Sequence, residues 1–421
     1  MAITVSRIKN QKNYNLKVSP EAEGFRSIFG TLKIGFVFQL FTFMTRIDRY
    51  ILFNFFKTLM LWYICFVGLY IVFDLFSNMD SVLSAGRENG NIVFAIGRYY
   101  FFKTFQFFDI LVSLLIMTSA MITLSTMIRH NELIPLLASG ISQLRIVAPI
   151  IGAAILVTLL AMACRELLLP RYLNDLLVNN PGEAGRDNGT AIEGMTDKKT
   201  GIQLHADKGF WEIRTISKPD FVMPAGLNAY GRAIKAETAQ YLPAANNHEA
   251  GYLLKNVSEP KELLQSDSLR QGETPVVITP KDASDWLSPT DCFVVSGITF
   301  NQIAGGRAWQ QYASVYELVQ GVRNPSLELG VNVLAVIHSR VTQPFLDFTL
   351  LLLGLPIIMS KSDRNVFKAM GIGALLILAF LAFQLMCRNI GISYQQPAFG
   401  AWLPLILFVP IAACLFYDMI R

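Results

Sequence analysis

Two sets of side chains in this 421-residue sequence are spaced for recognition chemistry. The first comprises Lys57, Lys103, His338, Arg340 and Arg388, which lie in or beside long apolar stretches. A cation at the edge of an apolar segment suits an anionic head group, because hydrogen bonds between charged partners are roughly twice as strong as neutral ones. Arg340, Gln343, Pro344 and Asp347 share one helical face at i, i+3, i+4 and i+7. That face fits either helix-to-helix pairing inside a bundle or contact with an anionic head group. Lys57 divides in the same way: an intramembrane charge is a functional hypothesis by default. It is also only ~10 Å from the start of its apolar segment, close enough to snorkel to the interface. The second set is Glu132, Leu133, Leu136, Leu137, Ala138, Gly140, Ile141 and Ser142, on a loop too apolar to be a plain solvated linker. Its leucines form a helical stripe, its small residues allow close approach by another surface, and a carboxylate stands at its head. An amphipathic helix lying against a partner fits.

Other chemistries find no support. The phosphate loop G-x-x-x-x-G-K-[ST] occurs nowhere in the sequence, so any ATP must be hydrolysed by a partner. Neither a catalytic triad nor a metal-ligand cluster stands out, which argues against an enzyme and against a cofactor on this chain. Cys65, Cys164, Cys387 and Cys414 fall in apolar segments and Cys292 stands alone, so no disulfide framework and no C-x-x-C pair exists. The net charge of +5 is small for the length and its cations sit at the ends of apolar segments, which makes nucleic acid a poor partner.

The elements that must position these residues are membrane spans. With 52% hydrophobic and only 16% charged residues, the chain reads as an integral membrane protein. Apolar stretches of span length, which need ~20 residues, cover about 51–76, 105–127, 146–167, 341–360, 366–386 and 401–419. The organisation expected is an N-terminal extension (1–43), a three-span unit (44–170) with the amphipathic helix at 128–145, a polar insert (171–330) and a second three-span unit (331–421). The apolar run from Ile34 to Phe43 is too short to cross and has no small-residue cleavage site after it, so the extension reads as disordered or interfacial, with Met44 an alternative start. The insert contains nine prolines and period-2 runs at 202–206, 234–242, 251–257, 275–279 and 291–300. That pattern predicts an antiparallel sandwich or roll with an apolar interior, followed by a short helix near 312–322. Eight Lys/Arg in residues 1–50, and Lys361, Arg364 and Lys368 after the fourth span, place both termini in the cytoplasm and the insert outside.

The loop from Leu124 to Ile146 resembles that of the lipopolysaccharide-export permease family, LptF and LptG. Glu132 and Leu133, followed by Ala138, Gly140, Ile141 and Ser142, match its Glu-Leu and Ala-x-Gly-Ile-Ser elements. Similarity extends over about residues 44–421, through Ile47 to Tyr50, Glu166 with Pro170, Ala236, Tyr241, Leu253, Asn256 and Val257, His338 to Pro344, and Trp402 with Pro404. Residues 1–43 have no counterpart, and the insert is longer and richer in loops than is usual there. The resemblance implies six transmembrane helices, three before and three after a periplasmic all-β jellyroll-like domain, in a multi-pass protein of the bacterial inner membrane. It implies a heterodimer with a sibling permease, a cytoplasmic ABC ATPase dimer that binds the Glu132–Ser142 loop and carries the ATP and magnesium, a single-span LptC-like partner, and a periplasmic bridge protein. The cargo it implies is lipopolysaccharide or a related glycolipid. A competing function is a mechanotransmission or scaffold subunit that moves a protein partner instead of lipid.

Overall fold

The computed structural model describes residues 45–77, 79, 92–172, 189–211, 213–227, 229–245, 248–272, 274–359 and 366–420. The extension at 1–43 and the loop residues Lys361 and Arg364 lie outside them. Among the described residues six helices are long and apolar enough to cross a membrane, so the chain is a multi-pass membrane protein. They are α1 (Arg46–Ser77), α2 (Ile92–Arg129), α4 (Gln143–Ala163), α7 (Val331–Met359), α8 (Val366–Ser393) and α9 (Pro397–Ile420). The short α3 (Leu133–Ala138) lies between α2 and α4, while α5 (Phe300–Tyr312) and α6 (Val315–Arg323) precede α7.

Helix ends depart from the sequence expectation where a polar residue finds a partner inside the fold. α7 begins at Val331, well ahead of Val341, because Arg340 is only 9% exposed and bonded within the protein, so its charge does not end the apolar helix. α2 likewise carries Lys103 within its helix, and α8 continues through Arg388 to Ser393. α7 packs against α2, α4, α8 and α9. At its contact with α2, Gly354 meets Met117 so closely that a Cβ would collide, a close approach typical of small residues between membrane helices. α1 leaves Phe53, Leu61, Ile64 and Phe73 exposed, an apolar face that the rest of this chain does not cover.

Between the third and fourth spans the described residues form a wholly antiparallel sheet of eleven strands. These are β1 (Thr190–Ala191), β2 (Met195–Thr196), β3 (Gln203–His205), β4 (Lys208–Phe210), β5 (Thr215–Ser217), β6 (Asp220–Val222), β7 (Ala233–Leu242), β8 (Gly251–Glu259), β9 (Leu269–Gln271), β10 (Thr274–Ile278) and β11 (Cys292–Val295). The main path is β1-β4-β5-β7-β8-β11-β10-β9, and β2-β3-β6 joins at β7. β7 and β8 pair along nearly their whole length, from Lys235–Glu259 to Leu242–Gly251. Leu204, Ile216, Phe221, Ile234, Tyr252, Leu254 and Val294 form one core with Phe300, Ile303, Trp309 and Leu318, so α5 and α6 close the apolar face. β11 is buried on both faces: Phe293 and Val295 turn to a second small cluster with Leu287 and Trp286. The expected strand at 291–300 therefore stops at Val295. Thr299 and Gln302 then form a reciprocal capping box that starts α5, each satisfying a backbone N–H of the other.

Candidate functional site

The loop between the second and third spans is built from helix-end chemistry. After α2, Asn131 takes φ 55, a left-handed turn that asparagine tolerates, and the Glu132 N–H donates to the Met127 carbonyl at 2.9 Å. Glu132 stands at the N-cap of α3 without capping it through its side chain. At the other end Gly140 has φ 86; its N–H donates to Leu137 O at 3.1 Å and the Ile141 N–H to Leu136 O at 3.2 Å. That is a Schellman pair, which needs a residue without Cβ strain at Gly140. Ser142 then caps α4, its Oγ accepting from the Arg145 N–H at 3.4 Å. The Gly-Ile-Ser element is thus the punctuation that ends one helix and starts the next. Leu133 is buried in its own chain, whereas Leu136, Leu137 and Ile141 are half-exposed and Ala138 is exposed. Ile134, which sequence reasoning passed over because it lies outside the leucine stripe, is 53% exposed.

At its far end α4 widens into a π-helical turn, Cys164–Leu168. Such turns place successive side chains where a regular helix cannot, and they recur at functional sites. Here Arg165 is buried; its guanidinium meets Asp109 of α2 at 3.4 Å and Glu166 at 3.3 Å and donates to the Arg340 carbonyl at 3.2 Å. Glu166 Oε2 accepts from the Val315 N–H at 2.7 Å, at the start of α6. Arg340 donates to Gln311 O at 2.6 Å and to Ala313 O, the carbonyls at the α5–α6 corner. Between those carbonyls, Tyr312 donates to Gln106 Oε1 at 3.2 Å and receives Lys103 Nζ at 3.4 Å. Deeper in the bundle, Asp347 Oδ1 accepts from Ser113 Oγ and, at 2.8 Å, from Gln343 Nε2; Gln384 of α8 donates to Gln343 Oε1 at 2.8 Å.

These contacts are helix-to-helix pairing, one of the two chemistries open to the Arg340 face. Lys103 and Arg340 come together at the α5–α6 corner. Lys57 on α1 and Arg388 on α8 are exposed elsewhere, and His338 is half-buried on α7. Asp109 and Arg165, which complete the cluster, carried no signal in sequence because their partners are 56 and 175 residues apart.

The profile of the family described as "Lipopolysaccharide export system permease LptF/LptG" matches residues 49–418. Comparison with the curated proteins returns no match. With the profile matched from the first turn of α1 to the last turns of α9, the chain belongs to the lipopolysaccharide export permease family LptF/LptG.

Proposed function

We propose that this chain is the permease half of an ATP-driven exporter. It takes lipopolysaccharide or a related glycolipid from the inner membrane and hands it through an external jellyroll-like sheet to a periplasmic bridge. A sibling permease completes the bundle, with a single-span LptC-like protein beside it. A cytoplasmic ATPase dimer docks on α3, where Ile134, Leu136, Leu137 and Ala138 offer an apolar surface headed by Glu132. Lys57, Lys103, His338 and Arg388 are the candidates for the anionic head group, whereas Arg340 serves by holding the α5–α6 corner.

The observation that carries this reading is the continuity of α4. Its first turn is capped by Ser142 of the docking loop, and its last, π-helical turn grips both α7 and the base of the sheet domain. At ~1.5 Å per residue its 26 residues from Gln143 to Leu168 span about 39 Å, close to the ~40–45 Å of a bilayer with head groups. Movement imposed on α3 would thereby reach the sheet through one continuous helix, which carries Pro149 in its second turn.

The test is to co-purify the ATPase with Glu132 variants. Breaking one partner of a hydrogen-bonded charge pair at a buried interface costs ~2–5 kcal/mol, whereas a solvated charge is worth within ~0.5 kcal/mol. Glu132→Ala should weaken ATPase recovery and Glu132→Lys abolish it, with insertion and sheet folding intact. Wild-type recovery with Glu132→Lys would remove the docking role. ATP-dependent release of glycolipid from proteoliposomes separates lipid export from a subunit that moves only a protein partner.

A further inference from the structure

A cavity of about 310 Å³ opens where the β4–β5 turn and the end of β7 meet α5 and α6. Its size is at the lower end of the ~300–1,000 Å³ typical of ligand sites. One wall is aromatic, formed by Tyr241, Trp309 and Tyr316. Trp309 is held in place between Gly305 and Gly321, where an added Cβ would strike it, while Tyr316 is 71% exposed at the mouth. The other wall mixes donors and acceptors. Arg214, in a left-handed conformation at φ 49 that arginine rarely adopts, makes no ion pair or hydrogen bond among the described residues. Gln302 uses its Oε1 on the Thr299 N–H at 2.7 Å and keeps its amide donors, and Gln320 Nε2 donates to the Tyr316 hydroxyl at 3.2 Å.

This composition selects a class of ligand. An acyl chain gains nothing from a wall of amides and a guanidinium, because each polar group it desolvates without a partner costs free energy. A dense polyanion needs more than one cation, and Arg214 is balanced by Glu317 in the same cavity. A saccharide ring satisfies both walls: its C–H face lies on an aromatic ring, and its hydroxyls donate and accept in the plane of the amides. We propose that this cavity binds a saccharide ring, and that in the exporter it holds the sugar head group of the glycolipid while the acyl chains travel elsewhere. The second half of that statement rests on the export reading; the first does not.

The experiment uses the full-length protein in lipid nanodiscs, titrated with a soluble hexosamine disaccharide and followed by saturation-transfer NMR. Binding is expected for the wild type, a weakening of at least tenfold for Tyr316→Ala, and retention for Tyr316→Trp, which keeps the stacking face. Tyr316 is exposed, and an unchanged melting curve shows that the variant is folded. Absence of disaccharide binding, or equal binding by Tyr316→Ala, overturns the proposal. In a second arm, lipopolysaccharide in the nanodisc competes with the disaccharide and crosslinks to a photoreactive residue at Ile213, which is 62% exposed beside Arg214. Saccharide binding without such competition overturns the head-group assignment and leaves a site for free saccharide. Absence of ATP-driven release by the wild type, with disaccharide binding intact, sinks the export reading and the head-group assignment that rests on it, and leaves the saccharide site standing.

Discussion

Arg165 is 8% exposed at the end of a membrane span, and its charge persists there because three acceptors from three helices converge on it. Arg165, Arg340, Asp109 and Glu166 sum to zero formal charge, the condition under which ionised groups are tolerated at such depth. Removing Arg165 leaves the partly buried Asp109 without its ion-pair partner and the Arg340 carbonyl without its donor, and breaking a buried pair typically costs ~3–5 kcal/mol. Arg165→Ala should therefore lower thermal stability in detergent by that order. Arg165→Lys should rescue little, since a single ammonium cannot reproduce the planar fork; a stable Arg165→Lys protein would show that charge alone suffices. Asp347 calls for the opposite comparison. Its Oδ1 accepts from Ser113 and Gln343, while Oδ2 has no partner among the described residues. An amide oxygen accepts the same two donors, so Asp347→Asn should stay within about 1 kcal/mol of the wild type. Asp347→Leu orphans the Ser113 hydroxyl proton and leaves Gln343 Nε2 only its 3.0 Å bond to Ser113 Oγ, a loss of ~1–3 kcal/mol for the orphaned donor. A damaging Asp347→Asn would mean that the negative charge itself is needed. The Arg340, Gln343 and Asp347 face was legible because helical spacing is local. Asp109 and Arg165 were not, since nothing near them in sequence marks partners on other helices.

At the scale of elements, legibility followed length. β7 and β8, of 10 and 9 residues, carry enough alternation to be read, and the three-residue β3 was read because its alternation extends to Ile202 and Ala206, whereas β1 and β2 have two residues each and β4 to β6 three, too short for a period to show. The start of α5 was legible in principle: Thr299 followed three residues later by Gln302 is a capping-box signature, masked by the apolar strand just before it. The π-helical turn had no signal, because the partners of its side chains, Asp109, Arg340 and Val315, are remote in sequence. α3 offers the sharpest test of an element in its own right. At the φ of 86 found at Gly140, a side chain costs roughly 1–2 kcal/mol unless, like asparagine, it tolerates the left-handed region. Gly140→Val should misdirect the last turn of α3 and reduce ATPase recovery, while Gly140→Asn should leave it near wild type. Equal recovery with both would mean that the Schellman turn does not position the docking surface.

At the scale of the whole molecule, the open question is which face of the membrane each end of α4 meets, and the charge distribution commits to an answer. Eight Lys/Arg precede Ile51, whereas several lysines of the sheet domain stand in ion pairs with carboxylates, as at Lys235–Glu259 and Lys281–Asp267. Short cationic segments beside spans stay in the cytoplasm, while large folded domains cross regardless of charge. The sheet should accordingly lie outside and α3 inside. Single cysteines read this out, and Asn188, an obvious choice from sequence, lies outside the described residues, so the exposed Ser284 replaces it. The native thiols allow the experiment: Cys292 is fully buried, with burial pushing its thiol up to about 12, Cys164 and Cys387 are buried, and Cys65 and Cys414 lie within the span-length helices, where a charged reagent should not reach them. With an impermeant maleimide added to cells whose outer membrane has been opened, Ser284→Cys should label at once. Ser139→Cys, on the exposed end of α3, should label only after the inner membrane is permeabilised. Labelling of Ser139→Cys in intact inner membranes would invert the molecule, put the docking loop where no ATP is available, and end the case for ATP-driven transmission along α4.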